Sequence, residues 1–563
     1  MASTLPRLPV FEAIAKHDPH STVVVHSGSG RRFTYGELLK DVADAKDRLH
    51  KEAGTTSMDG QRIAFLVENG YDYVVTLLSI LGTHSIALPL SPAFPVHELQ
   101  YIMDQSQASM LLSSSKFETK ALDVMKSGLE GKPKLLQVEK KLGGALHTKV
   151  SLEGPSHGKG GMMLYTSGTT NRPKGVLLPE SVMTAQSKSL QTAWNYSPSD
   201  HLLHVLPLHH IHGTINAIMT PLFSGSSIEF LFPFNVKAVW ERLAAPFLPG
   251  SENKEPVTFF TVVPTVYNRL LSTHGDLSPE LQAATKKAIS PANMRLNISG
   301  SAALPTPTKQ AWSTLSDGNV LLERYGMTEV GMALSCGLSY SDRVDGSVGW
   351  PLPSVQARLV DTETGEVILP GEEINATGQE RDGEIQLRGP TIFKEYWRNP
   401  EATRKEFVEG EDGQGRWFKT GDVAVRRNVP SAGHSSQDWA HGPMYFIRGR
   451  KSADIIKTGG EKVSALEVER ELLSLPQIAE AAVVAVPSGK WGQKVGVVLI
   501  LKPGVPKWSP MDMRRALRDR LANYKIPQIM RIVDDIPKNA MGKINKKQLV
   551  KEIFVEDFSG DEL

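Results

Sequence analysis

Short apolar runs rich in β-branched residues alternate along this chain with stretches whose apolar positions recur at helical spacing. RIAFLVEN at 62–69 and the YDYVVTLLSILGTHSIALPL that follows form one such unit; HLLHVLPLHH, VTFFTVVPTVYNRLL and MRLNISGSAALP begin others. Buried strands alternating with helices predict parallel α/β layers. In such layers ligands bind outside the C-terminal ends of the strands. SIEFLF and GEIQLRG are expected to add β structure of more antiparallel character. Polarity rises at about 361–381 and again across VPSAGHSSQDWAHG at 429–442. The second stretch, rich in Ser, Gly and His, predicts an exposed insertion between strands. Beyond Tyr445 the texture becomes a tight alternation of strands and helices. A hinge near 450–454 is expected, dividing a large domain at 1–449 from a small α/β domain at 450–563. No repeat of fixed period is present, which argues against a solenoid.

At 563 residues the chain exceeds one ordinary domain. A formal net charge of +2 supplies no basic field for nucleic acid or an acidic membrane surface. No apolar run reaches bilayer length. The N-terminus lacks both a secretory hydrophobic segment and an Arg/Ser-rich amphipathic pattern, and the final SGDEL only partly matches a retention signal. The cytosol is the expected compartment, with no nucleic-acid partner and no stable membrane insertion. Cys336, the only cysteine, excludes an internal disulfide and a thiolate zinc site and reads as a buried structural residue.

YTSGTTNRPKG at 165–175 is the densest chemical signal. The hydroxyls of Thr166, Ser167, Thr169 and Thr170 surround Gly168, and Arg172, Lys174 and Gly175 follow. Glycine turns backbone N–H groups inward, hydroxyls add donors and the cations neutralise charge, as a polyphosphate requires. The GxxxxGK[ST] loop is absent. LLERYGMTEVG at 321–331 sets Thr328 and Glu329 at a loop end, where a carboxylate suits Mg2+ bridged to phosphates. WFKTGDVAV at 417–425 puts Asp422 where it accepts hydrogen bonds from ribose hydroxyls. RGRKSADIIKTGG offers Arg450 to a phosphate or ribose, and its Gly459 and Gly460 let a narrow ligand pass the backbone. IPKNAMGKINKKQL sets Lys543 after a Met-Gly turn; Lys546 and Lys547 read as solvated surface lysines. Singly, such pieces have ordinary explanations, since Thr-Glu pairs start helices and Asp fills turns. Their ordered combination does not.

In order and spacing these five motifs resemble the acyl-adenylate-forming superfamily of acyl-CoA synthetases, luciferases and peptide-synthetase adenylation domains. The resemblance runs from about Phe33 to Leu549. It implies an α/β fold: a large N-terminal domain of two βα subdomains plus a distorted β-barrel, carrying a small mobile C-terminal α/β domain. It also implies ATP, Mg2+ and coenzyme A, used in two half-reactions. A carboxylate attacks the ATP α-phosphorus to give acyl-AMP and pyrophosphate, and the CoA thiol then displaces AMP. By motif position, Thr166, Ser167, Gly168, Thr169, Thr170 and Lys174 would cradle the β- and γ-phosphates. Gly300, Ser301, Ala302, Glu323, Arg324, Tyr325 and Gly326 would line the adenylate. Thr328 and Glu329 would serve the α-phosphate and Mg2+, Asp422 the ribose, and Arg450 the ribose or phosphate. Lys543 would bridge the substrate carboxylate and the α-phosphate, then rotate away with its domain as Lys457, Gly459 and Gly460 meet the CoA arm. His210 matches a histidine lining the acyl pocket or thiol tunnel.

Many relatives carry glycine where this chain has Arg324. A guanidinium facing an acyl pocket is costly to desolvate unless an anion pairs with it. A substrate with a second carboxylate is expected, and HVLPLHHIHGTINA, ISGSAALP, LLERYGMTEVGMALS and GSVGWPLP resemble the malonyl-CoA synthetases. Malonate is the expected acid, with methylmalonate a further candidate. His210, Ser301, Arg324, Met332 and Arg172 are the acyl-site residues on this reading. Arg295 and Arg269 are rival readers of the distal carboxylate, and a pairing of Arg324 with Glu323 is the structural alternative. His209 and His212 read at least as well as packed imidazoles. The competing functions are activation of a short or medium-chain monocarboxylic acid and loading of a separate carrier protein.

Overall fold

The structure, a computed structural model, describes residues 4–55, 57–144, 150–166, 172–459, 461–488, 492–506, 508–538 and 544–554. The first βα layer is a seven-stranded sheet. Lys134–Gln137, Met110–Ser113, Arg62–Leu66, Ile86–Pro89 and Gly161–Thr166 run parallel; Lys174–Pro179 and Glu395–Tyr396 complete the sheet in antiparallel pairing. Helix Tyr71–Gly82 is apolar on almost every side and nearly every one of its residues is buried, as a helix enclosed between layers must be.

The second layer begins with six parallel strands in the order Thr22–His26, Ser227–Phe230, His201–His204, Phe259–Val262, Leu296–Ser299 and Leu322–Met327. SIEFLF was expected to be more antiparallel; its strand Ser227–Phe230 instead runs parallel between two neighbours. All four of its residues are buried, the environment of a parallel interior strand. From Leu322–Met327 onward the same sheet turns antiparallel, through Gly331–Ser335, Ser347–Pro351, Met444–Arg450, Arg416–Arg427, Gly383–Arg388 and Gln356–Asp361. Register shifts at Tyr325/Gly326, Ser347/Gly349, Val423/Ala424 and Glu384/Gln386 bend this half into the distorted barrel wall. Leu322–Met327 is thus the strand at which the pairing direction switches.

The 429–442 segment does connect two strands, but it is not simply exposed. Gln437 accepts from the Leu338 amide and donates to the Ala193 carbonyl, and the Gly433 amide donates to Asp342. Polar composition here serves backbone groups that would otherwise lack partners.

A separate five-stranded sheet follows, ordered Glu461–Ser464, Ile455–Thr458, Gly492–Leu501, Ile478–Ser488, with Ile529–Ile532 beside Gly492–Leu501. It has its own apolar cores under helices Ala465–Leu473, Pro510–Leu517 and Lys546–Ile553. Ion pairs join it to the barrel wall: Lys462 to Glu363 at 2.9 Å and Arg448 to Glu467 at 3.5 Å.

Candidate active site

The hairpin of Gly161–Thr166 and Lys174–Pro179 sets Thr166 directly opposite Lys174. Ser167, Gly168, Thr169 and Thr170 lie outside the described residues, as do Gly460 and Lys543. The Lys174 ammonium sits 4.7 Å from the centre of the Tyr396 ring, a cation–π contact. The Tyr396 hydroxyl donates to Glu329 Oε1 at 2.8 Å, and the Phe393 amide donates to the Glu329 carbonyl at 2.8 Å. Burial pushes the Glu329 carboxyl up, opposed by Tyr396, Arg450 and Lys174. Thr328 and Glu329 occupy the tight turn between Leu322–Met327 and Gly331–Ser335, which closes so tightly that a Cβ on Gly326 would lie 2.0 Å from the Gly331 carbonyl oxygen. Only glycine fits there.

Tyr325 leaves the same strand toward the barrel wall and donates to Asp422 Oδ2 at 2.5 Å. Asp422 pairs across the ladder with Arg450, whose Nε reaches Oδ1 at 2.9 Å. The Asp422 carboxylate holds the Arg450 guanidinium above its ordinary range. Lys174, Tyr396, Glu329, Tyr325, Asp422 and Arg450 form one cluster, with two cations flanking two carboxylates that each accept from a tyrosine.

Arg324 points to the other side of its strand from Glu323, as alternation requires. The Glu323 carboxylate is buried against Lys309 Nζ at 2.8 Å, so it is already paired and does not serve Arg324. Arg324 is 5% exposed. Its Nη2 donates to His212 Nδ1 and lies 3.4 Å from Ser301 Oγ. Its buried Nε has no hydrogen-bond partner, and no carboxylate among the described residues forms an ion pair with it. Burial lowers this guanidinium to about 10, still cationic at neutral pH. A Cβ on Gly300 would lie 2.4 Å from Arg324 Nε, so the guanidinium rests directly on this backbone. Ser301 follows with φ 66 and is exposed beside Ala302.

Arg295 is held by both oxygens of Asp200, at 3.0 Å each, and Arg269 lies exposed over Phe234. Neither contacts the Arg324 group. Arg172 is exposed and lies over the Tyr101 ring, also apart from it. Met332 is buried opposite Gly326. His210 is half-buried, its ring centre 4.2 Å from that of His209, whose imidazole burial lowers to about 4. Lys457 is exposed on Ile455–Thr458 opposite Lys462, and Gly459 has φ 57. Cys336 is fully buried, its thiol pushed up to about 12.

Three residues carry roles the sequence did not disclose. Tyr396 has no motif of its own, and its partner Glu329 is 67 positions away. His212 is the neighbour of Arg324. Lys546, read as a solvated lysine, is 13% exposed and bridges Asp454 at 2.5 Å and Glu469 at 2.7 Å. The two carboxylates draw it in, because the first turn of helix Lys546–Ile553 faces the 451–454 connection.

Comparison with known proteins accords with this geometry. The AMP-binding enzyme family matches residues 11–397, and the AMP-binding enzyme C-terminal domain matches 467–543. A CoA ligase of Gibberella moniliformis is 56% identical, over 99% of this chain and 96% of that protein. The human malonate–CoA ligase ACSF3, mitochondrial, is 37% identical over 96% of this chain and 92% of that protein. The crystal structure of ATP-bound MatB from Rhodopseudomonas palustris superposes with a TM-score of 0.79 at 29% identity, covering 99% of this chain and all of that one. No helix among the described residues is long and apolar enough to cross a membrane. The chain belongs to the AMP-binding enzyme family, as an acyl-CoA ligase that works on small molecules with ATP, Mg2+ and coenzyme A.

Proposed function

We propose that the acid this ligase activates is malonate, with methylmalonate as a second substrate. One observation carries the reading: a buried guanidinium, Arg324, with no carboxylate partner among the described residues, an unpartnered Nε and the Ser301 hydroxyl beside it. A buried cation left unpaired is costly. A diacid removes that cost by presenting one carboxylate to Arg324 and the other to ATP. The human malonate–CoA ligase, similar over 96% of this chain, supports the same choice.

The proposed chemistry follows the two half-reactions. An oxygen of the near carboxylate attacks the α-phosphorus, the bond to pyrophosphate breaks, and malonyl-AMP forms. The CoA thiol then attacks the acyl carbon and AMP leaves. An anion attacks a polyanion, so charge neutralisation and positioning dominate. Lys174, Thr166 and the residues Ser167, Gly168, Thr169 and Thr170 hold the outer phosphates, with Thr328 at the α-phosphate. Asp422 accepts from the ribose hydroxyls, and Arg450 neutralises charge beside it. Glu329 is the residue that would hold Mg2+; a single carboxylate at a phosphate site suits that ion, which when bound neutralises phosphate charge. Lys543 bridges carboxylate and phosphate in the first step. The small domain then turns about 451–454 and brings Lys457, Gly459 and Gly460 to the CoA arm.

The test is pyrophosphate release with Mg·ATP and malonate, methylmalonate, butyrate or octanoate, with free CoA as acceptor. Malonate is expected to lead, and Arg324→Leu to lower its kcat/KM by about 100-fold or more, as for a stranded charge partner. Butyrate use should change far less. Equal loss for both acids, or butyrate preferred by the wild type, refutes the assignment.

A further inference from the structure

Arg324 needs more than its own charge to read a second carboxylate, because a long side chain has several rotamers. What fixes it is a neighbouring imidazole. His212 is 6% exposed on the π-type helix His212–Met219, and its Nδ1 accepts from Arg324 Nη2. Arginine only donates, so Nδ1 carries a lone pair and the proton of the neutral ring sits on Nε2. Nε2 lies 3.2 Å from Thr261 Oγ1, on strand Phe259–Val262, which accepts that proton.

Thr261 is held in turn. Asn216 Nδ2, one helical turn from His212, donates to Thr261 Oγ1 at 3.2 Å, and Tyr196 donates its phenolic proton to Asn216 Oδ1 at 2.6 Å. The same hydroxyl lies 3.1 Å from the Asn216 carbonyl oxygen. Asn216 and Thr261 are both fully buried. The Asn216 Nδ2 to His212 Nε2 approach of 3.4 Å then faces donor to donor and contributes no bond. Tyr196, Asn216, Thr261 and His212 form a connected network behind the guanidinium, in which Thr261 Oγ1 accepts from Asn216 on one side and from His212 on the other. Burial and the adjacent Arg324 charge both keep the imidazole neutral, because a second cation there would face the first.

We propose that His212 is the positioning residue for diacid selection: its Nδ1 acceptor, with Nε2–H backed by Thr261 and Asn216, aims Arg324 at the distal carboxylate. This rests on the reading of Arg324 given above. His212 touches neither ATP nor the reacting carboxyl in this scheme, so its effect falls on the binding of the diacid and little on the chemical step.

The experiment compares wild type, His212→Phe and His212→Asn in the same pyrophosphate assay, with thermal unfolding as a check on folding. Phenylalanine keeps the bulk and removes the acceptor; asparagine restores an acceptor near the Nδ1 position. His212→Phe is expected to raise the malonate KM about 10- to 100-fold, the range for a lost hydrogen bond to a charged group. Its ATP KM and butyrate activity should stay within about threefold of wild type. His212→Asn should recover most of the malonate loss. A uniform fall for malonate and butyrate, or an asparagine variant no better than phenylalanine, overturns the proposal. Nitrogen-15 shifts of the His212 ring give a readout independent of activity: protonation at Nδ1 in the wild type also overturns it. A wild type without preference for malonate brings down the reading of the acid itself, and that arm reports separately from the variants.

Discussion

Gly300→Ala is a substitution at the seat of Arg324 whose effect the geometry fixes. Gly300 does not occupy the left-handed region, so alanine introduces no backbone strain. The added Cβ would lie 2.4 Å from Arg324 Nε, 2.5 Å from Cζ and 2.9 Å from Cδ, all on one side chain. Either the core absorbs the overlap, at about 1–3 kcal/mol for overpacking, or Arg324 swings off its seat. Swinging breaks its hydrogen bond to His212, worth about 1.5–3 kcal/mol for a charged donor. Both routes give a stability loss of about 1–3 kcal/mol, and the second adds a fall of about 10- to 100-fold in malonate kcat/KM. Urea denaturation and the two-acid assay measure the two effects. In an Arg324→Leu background the shorter side chain leaves the space open, so the stability cost of Gly300→Ala should largely vanish. A double-mutant cycle with full additivity would refute the contact.

Lys309→Met strands the buried Glu323 carboxylate and is expected to cost about 3–5 kcal/mol; adding Glu323→Leu should return much of it, as chemical denaturation will show. Glu180 is 7% exposed, and burial pushes its carboxyl from 4.5 up to about 8. The folded protein therefore binds this proton more tightly than the unfolded chain does. The resulting stabilisation is complete below pH 4.5 and is lost as pH rises through 8, up to about 5 kcal/mol in all. Glu180→Gln should remove that part of the dependence and be the more stable form at pH 8.5; superimposable pH–stability curves for the two proteins would contradict this. Cys336 should resist maleimide at pH 8 in the native protein and label fully in denaturant, because its thiol is fully buried and pushed up to about 12.

Part of the candidate site was legible where one motif keeps its residues close together: Thr166 and Lys174, both in the run 165–175, stand opposite each other on one hairpin. The parallel layers were legible too, since strand and helix carry different periods. Direction of pairing is another matter. The buried run in SIEFLF says that both faces are covered and nothing about its neighbours, and Ser227–Phe230 proved parallel. Lys546 looked like surface because its partner Asp454 lies 92 positions away. Composition suggested exposure at 429–442, whereas Gln437 is spent on backbone groups of two other segments. Partners distant in sequence were the systematic omission, and Tyr396 and the network behind His212 belong to it.

The strand Leu322–Met327 has an implication for how such enzymes diversify. Its neighbouring positions make unrelated contacts: Glu323 locks a helix through Lys309, Arg324 meets His212 and Ser301, and Tyr325 donates to Asp422. Because successive side chains leave a strand on opposite faces, a point change at 324 should, on the proposed reading of Arg324, redirect the choice of acid while the contacts of Glu323 and Tyr325 persist. Insertion or deletion of one residue would exchange the faces and ruin all three sets of contacts together. Drift in acid preference within this lineage should therefore run through substitutions at one parity of this strand, with its length held invariant.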